Sequence, residues 1–147
     1  MKNLCLISTV LISISLSCTN NKISSVHGHL CYPSEYIPRL TIYLQNKNTQ
    51  EILKLVTANN DSIFEFKNVP DGEYIAYAYT IDSCSIDPNT NIKSKCCGGY
   101  SKAVPCGLSV NCLDQNLIIF KVKNGGCKDD IRICDWYSDI EKFVPKE

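Results

Sequence analysis

The chain has 147 residues, a formal net charge of zero, and 44% hydrophobic against 20% charged residues. That charge balance leaves no basic excess to hold nucleic acid and no acidic tail. The length is that of one domain, which can bury about two-thirds of its unfolded surface without disulfides merely to fold.

The chain opens "MKNLCLISTVLISISLSCTNN". Lys2 is a positive start, and Leu4 to Leu16 is uncharged and mostly apolar. A bilayer-spanning helix needs ~20 apolar residues, so this run is too short to cross. It reads instead as an export signal over 1–17. Its end, Ser15-Leu16-Ser17-Cys18, resembles the lipobox of bacterial lipoproteins, although Ser15 stands where leucine is usual. The resemblance implies cleavage before Cys18 and acylation of that residue, with 18–25 as a polar tether. Thr19 in place of aspartate implies the outer membrane. Ordinary secretion, with Cys18 unmodified, is the alternative. Two or more acyl chains give stable anchoring. Removing 1–17 would leave about 130 residues, still one domain.

Alternating apolar and polar positions then mark short strands. Val26 to Cys31 alternates and stops at Pro33. Leu40, Ile42 and Leu44 recur at period two after Pro38, Glu51 to Thr57 is mixed but strand-like, and Phe64 and Phe66 flank Glu65. "NVPDG" (68–72) is a turn by its Pro and Asp-Gly chemistry. Here Pro70 presets the backbone and Gly72 is expected to take a positive φ. Glu73 to Ile81 carries Ile75, Tyr77 and Tyr79 on one face and Tyr74, Ala76 and Ala78 on the other. Leu117 to Val122 and Ile131 to Trp136 complete the set. Seven strands, no convincing helix and regular turn signals predict a β-sandwich over 26–137, followed by a tail over 138–147.

The stretch from His27 through Tyr79 resembles the carboxypeptidase regulatory-like, transthyretin-like group of Greek-key sandwiches. The carrying residues are Gly28, the run Phe64-x-Phe66-x-Asn68-Val69-Pro70-x-Gly72-x-Tyr74, and the small Ala76 and Ala78. The resemblance covers about residues 24–81 and implies a seven-stranded Greek-key fold in a supporting or binding role. Tyr74 is expected to turn its hydroxyl onto the preceding loop, as tyrosine corners do.

Between the fifth and sixth strands, 82–115 forms a long Cys-rich insertion. Loops beyond ~15 residues are uncommon and tend to be functional. Of ten cysteines, Cys5 leaves with the signal and Cys18 takes lipid. Cys31, Cys84, Cys96, Cys97, Cys106, Cys112, Cys127 and Cys134 remain, an even set in an exported protein, where thiols pair. Cys106 and Cys112 bracket enough chain to turn back on each other. A vicinal Cys96–Cys97 bridge strains the peptide, so each is expected to reach a different partner, with Cys84 a candidate for one and Cys127 or Cys134 for the other, among the 105 connectivities that eight cysteines allow. Cys31 needs a distant one. The insertion reads as a stapled lobe and as the place where a partner would be recognised.

Candidate chemistry is sparse. His27, His29 and Cys31 stand at i, i+2 and i+4 of one strand and so share a face, and imidazoles with a thiolate suit zinc or copper. The competing reading makes Cys31 half of a disulfide and leaves the histidines in water. "DPNTN" (87–91) lacks the Gly and Glu of a calcium loop, Ile92 and Gly98 standing in their places, and reads as a turn. No Cys-x-x-Cys suits redox work. No Gly-x-Ser-x-Gly is present, and both histidines are far in sequence from Ser101 and Ser109. Tyr77, Tyr79, Tyr100, Trp136 and Tyr137 could stack on sugar rings, with Tyr100, Trp136 and Tyr137 the expected contact for a glycan or other partner, though such aromatics also fill cores. The reading is a non-enzymatic, lipid-anchored envelope protein that binds a protein or glycan, with no cofactor. Metal binding, glycan binding and an unassigned enzyme are the alternatives.

Overall fold

The computed structural model describes residues 24–85 and 93–147. The signal segment, Cys18 and the 87–91 turn lie outside the described residues. The chain folds as an all-β sandwich of a three-stranded and a five-stranded sheet.

In chain order the strands are β1 (Ser24–Leu30), β2 (Leu40–Asn46), β3 (Ile52–Val56), β4 (Ile63–Val69), β5 (Gly72–Thr80), β6 (Cys84–Ser85), β7 (Lys93–Ser94), β8 (Cys97–Gly99), β9 (Phe120–Val122) and β10 (Cys127–Ile133). One short helical turn, α1 (Ala103–Cys106), follows β8, and a 3-10 helix (Ser138–Lys142) follows β10. The first sheet runs β10-β1-β4 and the second β3-β2-β5-β8, with β9 also paired to β5. Among the described residues β6 and β7 pair only with each other.

The period-two pattern explains the layers. Val26, Leu30, Leu40, Ile42, Leu44, Phe64, Phe66, Tyr74, Ala76, Ala78, Ile131 and Ile133 all point into the space between the sheets and are buried. Each of the valine, leucine, isoleucine and phenylalanine side chains contributes ~1.5–3 kcal/mol by leaving water. Ile75 and Tyr77, from the other face of β5, are buried as well. They pack with Tyr43, Cys97, Ile140 and Val144 in a second cluster outside the five-stranded sheet.

That second cluster corrects the expectation of a tail over 138–147. The segment lies on the sheet, with Ile140 and Val144 buried. Its end is fastened by Tyr43 Oη, which donates to Glu147 Oε1 at 2.7 Å, and by Tyr79 Oη, which donates to the Pro145 carbonyl at 2.9 Å. Lys95 pairs with the same Glu147 carboxylate. Ile140 lies on the 3-10 helix and Val144 just past its end, and together they cover the outward tyrosines.

Three further differences concern the strands. The sheets hold one strand more than the seven expected, because β8 lies inside the 82–115 insertion and pairs with β5 at Tyr77↔Gly99, Ala78↔Gly98 and Tyr79↔Cys97. Two of its three residues are glycine, so it carries no alternation to read. The last strand begins and ends earlier than the expected 131–136, because Asn124 and Gly125 take positive φ and complete the turn by 126. Gly72 does not have a positive φ; Asn68 does, at 58°. Gly72 is required by close approach instead, since a Cβ there would stand 2.4 Å from Asn46 Nδ2. The expected tyrosine corner forms, with Tyr74 Oη donating to the Pro70 carbonyl at 2.9 Å.

Candidate functional sites

Two surface regions collect chemically capable groups, the loop closed by Cys106–Cys112 and the outer face of the three-stranded sheet. The first is the stapled lobe. A bridge between Ser101 and Leu117 closes its base, and the Ser101 hydroxyl donates to Asp135 Oδ2 at 2.5 Å. Ser101 Oγ also accepts from the Ala103 amide at 3.2 Å, which starts α1. Gly107, at φ 100°, ends that turn in the left-handed conformation that favours glycine. Cys106 then bonds Cys112, and Lys102 holds Asp114 at 2.8 Å. The Lys102 ammonium and the Asn116 amide lower the Asp114 carboxyl to about 2.

This closed loop thrusts apolar side chains outward. Val110 is 92% and Leu113 87% exposed. They border an open depression of about 320 Å³, which Tyr137 also lines. Of the aromatics expected to meet a glycan or partner, only Tyr137 is presented there. Tyr100 packs edge-on to Phe120 and against the core. Trp136 lies against Tyr32, and its indole N–H donates to the Cys31 carbonyl at 2.5 Å. Tyr77 is buried under the C-terminal helix, and Tyr79 Oη is bound to Pro145. The three-aromatic platform therefore does not form.

The second region is the outer face of the three-stranded sheet. Val26, Gly28 and Leu30 point inward, so His27 and His29 point out. Both histidines border an open depression of about 590 Å³ with Glu65, Asp129 and Asp130. Gly28 lets the Phe64 ring and the Ile131 carbonyl approach to where a Cβ would stand 2.2–2.3 Å from each. That contact draws β4 and β10 tight against β1.

The expected metal set of His27, His29 and Cys31 is not assembled. Cys31 is bonded to Cys134, and a disulfide sulfur has no thiolate to offer. A different sulfur stands beside His27. His27, Cys127 and Asp129 offer ligand atoms that all lie within 4.8 Å of one another. Sequence reasoning missed Cys127 and Asp129 because they reach His27 through a parallel β1–β10 pairing between distant parts of the chain.

The cysteines thus divide in a way the even count did not suggest. Cys31–Cys134 and Cys106–Cys112 are bonded, and Cys96 is also in a disulfide. Cys97 and Cys127 are free, which corrects the expectation that all eight pair. The physical reason is placement. Cys97 is sealed beneath the C-terminal helix in one sheet, while Cys127 lies exposed at the start of β10 in the other. With Cys134 taken by Cys31, neither Cys127 nor Cys134 serves Cys96 or Cys97. Burial, with Glu141 and Asp135 nearby, pushes the Cys97 thiol up to about 11. The Cys127 thiol donates to Asp129 Oδ1 at 2.8 Å, and that bond raises its pKa.

No described helix is long and apolar enough to cross a membrane. Comparison of the chain with protein-family models, with curated proteins and with solved structures finds no match.

Proposed function

We propose that the protein is a lipid-anchored component of a bacterial cell envelope, outer membrane first, acting by non-catalytic binding of a protein partner through its stapled lobe. The observation that carries this reading is the Cys106–Cys112 loop holding Val110 and Leu113 almost fully in solvent beside Tyr137. Large apolar side chains are ordinarily withdrawn from water, and a cluster of them on a covalently closed loop suits a protein interface. Closing the loop removes conformational freedom before binding, so less is lost on association. Apolar tips and one exposed tyrosine fit a protein surface better than a sugar, which would want several stacked rings. The signal and lipobox pattern at Cys18 supports export and anchoring. Five described cysteines held in disulfides suit the oxidising compartment that export reaches. The Phe64-to-Tyr74 turn, with its Tyr74–Pro70 bond, supports a carboxypeptidase regulatory-like ancestry, and such domains mostly bind or support.

The reading is tested by placing a photo-crosslinking residue at position 110, 113 or, as a control, 67 in the full-length protein on intact cells. A discrete protein adduct from 110 and 113 but not from 67, lost when the Cys106–Cys112 bond is removed by Cys106→Ser and Cys112→Ser, is expected. Equal adducts from all three positions, or none from the lobe, would contradict it.

A further inference from the structure

We propose that His27, Cys127 and Asp129 form a surface site for a borderline-soft divalent metal ion, zinc in the first instance, with Glu65 orienting the histidine. This site is independent of the lobe. It joins three donors of different kinds, an imidazole nitrogen, a thiol sulfur and a carboxylate oxygen, and zinc accepts all three.

The sheet places them. β1 is the central strand of its sheet, so both neighbours can present a residue beside His27. On the β4 side His27 is directly paired with Glu65, whose Oε1 lies 3.3 Å from His27 Nε2. On the β10 side the register slips. Val26 pairs with Lys128 but Gly28 pairs with Ile131, so Asp129 and Asp130 together oppose His27. Asp130 takes a φ of 66° to accommodate the extra residue. Such a bulge re-aims side chains, and here it brings Asp129 Oδ1 to 3.9 Å from His27 Nδ1. Cys127 Sγ is 2.8 Å from the same oxygen.

The spacing suits the ion. Ligand atoms around a tetrahedral zinc stand roughly 3.5 Å apart, within the range these three already span without backbone movement. The division of the imidazole is also apt. Nδ1 faces Asp129 while Nε2 faces Glu65, and a metal-bound histidine commonly directs its other nitrogen to a carboxylate that fixes the ring. Nδ1, Sγ and Oδ1 would therefore bind the metal, and Glu65 is a positioning residue. On binding, the Cys127 S–H bond breaks, its proton goes to solvent, and a metal–sulfur bond replaces the hydrogen bond to Asp129. Three protein ligands leave a fourth position open toward the depression that His29 and Asp130 line, where water or a donor from another molecule can complete the tetrahedron. Cys127 is a free, exposed thiol, whereas Cys31, Cys96, Cys106, Cys112 and Cys134 are bonded and Cys97 is buried, and coordination gives it a metal partner.

The test uses the full-length protein, exported so that its disulfides form and extracted in detergent, titrated with Zn2+ by calorimetry and with Co2+ by absorption. One equivalent should bind, and Co2+ should show a thiolate charge-transfer band in the near ultraviolet. Cys127→Ser should abolish that band, and it and His27→Ala should each weaken Zn2+ at least tenfold. Glu65→Gln should weaken it by about 10–100-fold while keeping the band, the signature of a residue acting through the imidazole. His29→Ala should change neither. These side chains are on the surface, so the variants fold; unchanged far-ultraviolet circular dichroism verifies this. Zn2+ binding that Cys127→Ser and His27→Ala leave intact, a Co2+ complex without the charge-transfer band, or a wild-type protein that takes up neither ion would overturn the proposal.

Discussion

The Ser101 hydroxyl donates a 2.5 Å hydrogen bond to the fully buried carboxylate of Asp135. Gln115 Nε2 and the Tyr137 amide approach the other oxygen of that carboxylate at 3.4 Å. The base of the lobe is thus tied to Asp135, two residues past the end of β10, with the Ser101 bond the shortest of these contacts. Hydrogen bonds to charged groups contribute ~1.5–3 kcal/mol, and a buried acceptor left short of its donor costs a comparable amount. Ser101→Ala is therefore expected to lower unfolding free energy by ~1.5–3 kcal/mol in urea titration. A change within the scatter of the method would show that the carboxylate finds another donor.

The C-terminal helix is a lid on Cys97. Ile140→Ala removes a buried side chain from the cluster with Tyr77 and Cys97, and such truncations cost ~2–5 kcal/mol. The same variant should admit a thiol reagent to Cys97 in the folded protein. In the wild type, only the exposed Cys127 should be alkylated until denaturant is added. Peptide mapping after brief alkylation distinguishes the two sites.

Alkaline pH should weaken the fold through the same cluster. Burial raises Cys97 from 9.0 to about 11 and Tyr79 from 10.0 to about 12. Tyr43 is raised as well, by burial first and by its bond to Glu147. In each case the folded state holds its proton more tightly than the unfolded chain. The stability this represents is fully present below pH 9 and is lost as pH rises through 11 and 12. Denaturant midpoints should fall over that window, and Cys97→Ala should flatten the early part of the fall.

Tyr74→Phe deletes only the hydroxyl that holds the Pro70 carbonyl. It should cost ~0.5–1.5 kcal/mol, and differential scanning calorimetry should show a lower Tm with no change in secondary structure.

Local chemistry made much of this architecture legible in advance. β1 alternates because one of its faces meets the core, β2 and β5 are legible from their apolar residues at period two although both faces are covered, and the Asn68–Gly72 turn announces itself by residue type. β8 did not, because Cys97-Gly98-Gly99 has almost no side-chain pattern and is stabilised by pairing with β5. The C-terminal helix was hidden for a related reason. Ile140 and Val144 gain their meaning from the outward tyrosines of a strand far earlier in the chain. The metal cluster shows the limit most sharply. His27 was visible as a donor on an exposed strand face, but Cys31 was the nearer sulfur in sequence and the wrong one. Only the parallel pairing and the two-for-one register at Asp129 and Asp130 bring Cys127 to the imidazole.

The anchored, disulfide-closed state is tested most directly by the intact mass of the protein expressed from its full sequence and recovered from bacterial envelopes, with and without thiol alkylation under denaturing conditions. The recovered protein should lack residues 1–17, carry a lipid adduct on Cys18, and show two alkylatable thiols that map to Cys97 and Cys127. A chain that retains its first residues or lacks lipid would contradict the anchored envelope role. A lipidated chain with no free thiol would keep that role and overturn the cysteine assignment on which the metal site stands.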